Sequence, residues 1–208
     1  RRILLYLNPL VYIAGLELIR LQNNLWWLAL TVSAVLLLVT VWDFAKRKID
    51  KRFFNFILAP LTLFLTSFSF LLFVESPLVY HTVVAVSAIF LYLFLEQILN
   101  YFFFSLKYQP YTLESFSFYT NILSMFYLAV SLFSASIFLQ LNRFVLALIG
   151  LVFAFLMVYQ IFWVNKISWN KSALFVYIVP LVIAELFIAL SYLPLSFYVN
   201  AVLLSVFF

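Results

Sequence analysis

Cysteine is absent from this chain, histidine occurs once and glycine twice among 208 residues. Each shortage removes a class of chemistry. Without cysteine there is no disulfide, no thiolate nucleophile and no thiolate metal site. His81 alone makes no His-rich metal site of the HExxH kind. Two isolated glycines, Gly15 and Gly150, build neither a phosphate-cradling loop nor a GxxxG helix contact. No G-x-S-x-G nucleophile elbow occurs. All six lysines lie between the apolar runs, which excludes a lysine-anchored chromophore inside a span. No metal and no cofactor is expected.

Charge is the other scarcity. Charged residues make up 9% of the chain and hydrophobic ones 68%, whereas roughly a quarter of a soluble domain is charged. Water is therefore not the solvent this chain is built for. An apolar run of about 18 or more residues spans the hydrocarbon core, about 30 Å thick, because a helix rises about 1.5 Å per residue. Several such runs are present. They are apolar on all sides, whereas barrel strands alternate apolar and polar positions, so a β-barrel is excluded. The net charge of +5 sits at the ends of apolar runs and forms no patch, so nucleic acid is not expected as a partner.

The sequence predicts an all-α integral membrane protein, a bundle of about eight transmembrane helices in one domain over residues 1–208. The expected spans are 3–19, 25–44, 53–74, 78–104, 116–139, 144–164 and 172–192. An eighth starts at Pro194, and because the chain stops at Phe208 within an apolar run, it is expected to be truncated. Pro110 is expected to break the fourth helix, and Ser115 or Thr112 to cap the fifth.

Orientation follows from the basic segment Lys46, Arg47, Lys48, Lys51 and Arg52. If that loop is cytoplasmic, strict alternation also places Arg1, Arg2, Lys107, Lys166 and Lys171 inside, leaving only Arg20 and Arg143 outside. Short loops with such an asymmetry obey the positive-inside rule, so the N-terminus is expected in the cytoplasm of a prokaryotic cell, with the protein in its inner membrane. Trp26 and Trp27 mark one interface; Trp42, Trp163 and Trp169 mark the other. Matches at offsets near 118 residues, such as Pro60 with Pro180, raise a parallel repeat of four plus four spans, with units 1–115 and 116–208.

Packing between spans in lipid relies on small residues and hydrogen bonds. In the fifth span Ser117, Ser124 and Ser131 recur every seven residues, with Asn121 and Ser134 near the same stripe. Seven residues are nearly two turns, so the stripe shares one face, read as a packing seam rather than a pore lining.

Three carboxylates fall inside apolar runs, where an ionisable group is a functional candidate by default. Glu17 lies about 21 Å along the first span, and an ion pair with Arg20 three residues on is the bland reading. Glu185 lies about 20 Å into the seventh span, with no charge within a turn of it, and is the most anomalous residue in the chain. Its alternative is a neutral, hydrogen-bonded structural glutamate. Glu96, with Gln97 and Asn100, forms a polar corner near the end of the fourth span. His81 sits in that span's first turn, on the same side as Glu17 and Glu185, so the three are candidates to line one outward cavity.

These features support a non-enzymatic protein with a structural or interaction role, whose partners are the lipid bilayer and other membrane proteins or a second copy. A small-solute or lipid transporter with a cavity near Glu185 is the alternative. A membrane enzyme acting on a lipid-linked substrate through Glu17 is the third reading.

Overall fold

The computed structural model describes residues 2–21, 26–44, 51–104, 112–193 and 195–208. Within them the chain is all-helical: α1 Arg2–Leu21, α2 Trp26–Phe44, α3 Lys51–Leu71, α4 Pro77–Phe103, α5 Thr112–Phe138, α6 Arg143–Val164, α7 Trp169–Leu190 and α8 Phe197–Val206. Five helices are long and apolar enough to cross a membrane: Phe54–Leu71 within α3, and the whole of α4, α5, α6 and α7. Helices are the expected solution because a segment in hydrocarbon must satisfy every backbone N–H and C=O internally. Of the basic segment, Lys46, Arg47 and Lys48 lie outside the described residues, as do Lys107 and Pro110; Lys51 and Arg52 open α3.

Local chemistry sets the helix ends. Proline disfavours the helical region for the residue before it, and Ser76, ahead of Pro77, is extended at φ −70°, ψ 121°. The chain therefore leaves α3 at Leu71, three residues before the expected Val74, and restarts with Pro77 in the first turn of α4. Asn142 caps α6, its side chain accepting from Phe144 N at 2.9 Å. The fifth helix begins at Thr112 rather than Phe116, which puts Ser115 inside the helix and removes it as a cap. Gln140 after α5 and Lys166 after α6 take φ values of 50° and 57°. In a glycine-poor chain these left-handed turns fall on ordinary residues at about 1 kcal/mol each.

Consecutive helices run up and down between two ends. At the near end, where α1 begins, Arg2 lies over the Phe104 ring, and Phe56 of α3 packs on Tyr101 and Phe102 of α4 and Trp163 of α6. At the far end, Phe138 at the close of α5 touches Phe73 and Phe197, and Arg143 lies 4.5 Å over the Tyr192 ring. In the first half α1 packs on α2 and α4, and α3 on α2 and α4. In the second half α5 packs on α6 and α8, and α7 on α6 and α8. The halves meet where α3 lies against α5 and α6, and α4 against α5. Consequently α3 and α5 are the most buried spans, and α6 and α7 expose the most apolar surface.

Polar side chains stitch this interior together. Asn8 of α1 donates to Thr40 of α2. The Tyr12 hydroxyl of α1 meets Ser67 of α3 at 2.6 Å, and Ser87 of α4 donates to the Tyr127 hydroxyl of α5 at 3.3 Å. Two buried hydroxyl pairs thus join four helices. Between α5 and α6, Asn121 donates to Gln160 at 2.6 Å, and Gln160 donates to Ser117 at 2.8 Å. Ser124 and Ser131 turn back onto the carbonyls of Thr120 and Tyr127 in their own helix. All five residues of the α5 stripe are buried. Gly150 gives α6 its close approach, since a Cβ there would stand 3.1 Å from the Leu132 side chain of α5.

Removing Gln160 strands both Asn121 and Ser117 in a dry interface. Buried interhelical hydrogen bonds in membranes average about 0.6 kcal/mol and reach about 1.7, and Gln160 makes two. Gln160→Leu is therefore expected to cost about 1–3 kcal/mol, read as a lowered unfolding midpoint in detergent, while Gln160→Glu, which keeps an acceptor for Asn121, costs less than the leucine variant.

Candidate functional site

The far end holds a place where charged side chains of different helices converge. It forms where the last turn of α1 meets the first turn of α4. Glu17 projects from α1 and its Oε1 lies 2.8 Å from His81 Nδ1. Arg20, three residues on, places Nη1 2.7 Å from His81 Nε2. The expected Glu17 to Arg20 ion pair is thus replaced by a bridge: the imidazole of α4 stands between the two α1 side chains. The Arg20 guanidinium also lies 5.5 Å over the Tyr80 ring, and the Tyr80 hydroxyl donates to the Leu16 carbonyl at 2.6 Å. Arginine has only donors, so Nε2 must accept, the proton of the neutral ring is on Nδ1, and that proton goes to Glu17.

This assignment decides what the cluster does. A general base needs a free lone pair facing a substrate, and Arg20 occupies the only one the neutral ring has. Glu17, His81 and Arg20 therefore form a clasp between α1 and α4. With the His81 side chain 53% exposed and that of Glu17 32%, solvent screens the clasp and its stabilising effect is small. Beside it, a cavity of about 220 Å³ opens between the ends of α1 and α3 and the start of α4. Leu16, Phe68, Leu71 and Leu72 form its apolar wall, with Arg20 and Glu75 among its polar lining.

Glu185 is elsewhere. It lies on the exposed side of α7, whose neighbours are α6 and α8, whereas α1 packs on α2 and α4. The fold does not bring Glu185 to Glu17 and His81. No hydrogen bond or ion pair engages it among the described residues. A carboxylate well inside a span costs on the order of 2.5–3.5 kcal/mol on insertion scales.

The polar corner of α4 is at the near end. Gln97 Oε1 accepts from Thr112 Oγ1 at 3.1 Å, tying α4 to the first turn of α5. The Asn100 carbonyl accepts from Phe104 N at 3.0 Å as the helix closes. Glu96 is half-buried one turn beyond Tyr92. A second cavity, about 370 Å³, lies at this end among Phe56, Leu113, Trp163 and Lys166.

Sequence reasoning passed over Asn8, Tyr12, Thr40, Ser67, Ser87, Tyr127 and Gln160. A usable signal existed only for the amides Asn8 and Gln160, since an amide in an apolar run needs a partner. Hydroxyl residues bond their own helix too readily to single out. No protein-family model matches the chain, and neither does any curated protein or solved structure.

Nitrogen NMR of labelled His81 in detergent is expected to show the Nδ1–H tautomer that the Arg20 and Glu17 contacts require. Arg20→Leu is expected to release the ring into a tautomer mixture; an Nε2–H tautomer in the unmodified chain would refute the clasp.

Proposed function

We propose that this chain is a multi-pass membrane protein with a non-enzymatic, structural or interaction role in the bilayer. The observation that carries this reading is how the interior polar groups are used. Tyr12, Ser67, Ser87, Tyr127, Asn121, Gln160 and Ser117 bond one helix to the next and are buried. Groups committed to holding helices together do not coordinate a travelling solute, and the two cavities described above lie at the ends of the bundle. The bridged His81 supports the same reading against acid–base chemistry at Glu17.

The near end faces the cytoplasm in this reading, and the membrane is the inner membrane of a prokaryote. Arg2, Lys166 and Lys171 at the near end, against Arg20 and Arg143 at the far end, support that orientation. In this reading the eight helices of the described residues form one domain in two parallel units of four. The matching order of contacts in the two halves, and the prolines inside α3 and α7, support the repeat.

Because the chain lacks cysteine, single-cysteine variants report topology directly. Lys48→Cys and Lys166→Cys are expected to react with an impermeant maleimide from one face only, and Asn142→Cys from the other. In reconstituted vesicles, proton leak read by an entrapped dye and flipping of a fluorescent lipid are expected to stay at the rates of protein-free vesicles. A flux that Glu185→Leu abolishes would establish the transporter reading in its place.

A further inference from the structure

The open face of α7 carries Leu174, Ile178, Leu181 and Glu185, all exposed and spaced four, three and four residues apart. That spacing is the seam along which two helices pair with a left-handed crossing. Glu185 occupies the last of these positions, five residues before Leu190, about 8 Å short of the helix end. Every other side chain of the stripe is hydrocarbon. An ionisable group there has two resolutions: it keeps its proton, or a partner supplies a donor.

We propose that this face docks a transmembrane helix of another protein that carries a lysine or arginine at the depth of Glu185. The proposal rests on reading the protein as an interaction module. Charge complementarity selects the occupant. Among the described residues every lysine and arginine lies at a helix end or between helices, and Arg143, the first residue of α6, lies over its own Tyr192 ring. A second copy pairing along α7 would therefore set Glu185 against Glu185. Lipid tails offer no donor at all. A helix with one buried cation supplies both the apolar knobs that Leu174, Ile178 and Leu181 require and the counter-charge that Glu185 lacks. Buried charge also makes the docking selective, because a fully apolar helix would leave the carboxylate unpaired.

The test uses the full chain in phosphatidylcholine vesicles with polyleucine peptides of about 20 residues, association being read by energy transfer. One peptide carries a single lysine about 8 Å from its helix end, the depth of Glu185, and its control carries leucine there. The lysine peptide is expected to associate about tenfold more strongly than the control. Glu185→Leu is expected to erase the preference, and Glu185→Lys to transfer it to a peptide with glutamate at the same position. These variants remove no bond within the chain, so circular dichroism is expected to be unchanged. Equal association of the two peptides, or a preference that survives Glu185→Leu, overturns the docking proposal. Leu181→Cys chains that crosslink to each other overturn it in favour of a second copy. Equal association without proton leak leaves the interaction reading standing, whereas a leak that depends on Glu185 removes that reading as well.

Discussion

Inside a bilayer a polar group has no water to fall back on, and the whole bundle is arranged around that fact. Backbone groups are satisfied within helices, which makes helices of membrane-spanning length the natural element. Some side chains bond carbonyls of their own helix, and others bond a neighbouring helix; the second kind specifies the packing. Leucine and phenylalanine are as comfortable against lipid tails as against each other, so they contribute close contact without choosing a partner. The hydroxyl pairs Tyr12–Ser67 and Ser87–Tyr127, and the amide chain of Asn121, Gln160 and Ser117, have few alternatives. Their hydrogen bonds choose the register of α1, α3, α4, α5 and α6.

The two ends of the bundle answer to different physics. There the chain returns to water, and charges become affordable. At the far end an imidazole bridges a carboxylate and a guanidinium and so ties the last turn of α1 to the first turn of α4. At the near end aromatic rings dominate, with Phe56, Tyr101, Phe102 and Trp163 packed edge and face across three helices. Aromatic side chains suit that level because one edge tolerates lipid and another tolerates water.

Between the ends, the bundle is asymmetric. The first half and the α5 seam bury their polar groups, while α6 and α7 present broad apolar faces outward. Most of that surface needs no explanation in lipid. Glu185 does, because among the described residues it is an acidic side chain inside a span that lies on the exposed side of its helix. In the interior of the described residues Thr120 Oγ1, Asn121 Oδ1, Ser134 Oγ and Asn200 Oδ1 lack a hydrogen-bond partner, while most buried polar side chains find one. An unpaired carboxylate on the outside extends the same rule to a neighbour.

The sequence by itself determined the class of object, because composition and run length respond to the solvent and need no knowledge of which helix touches which. It also placed Ser117, Asn121, Ser124, Ser131 and Ser134 on one side of a helix, since periodicity is a property of a single element. Helix ends were legible to within a few residues, with Pro77 informative, and with Thr112, offered as a cap, opening α5 four residues before the expected Phe116. What only the tertiary structure decided is who meets whom. Gln160 looks like any amide in an apolar run until α6 lies against α5, and Glu17 points to Arg20 until His81 arrives from α4. Depth along a span can be counted from residue numbers, but the direction a side chain faces depends on which neighbours surround its helix. Glu17 and Glu185 therefore looked alike in one dimension and part company in three.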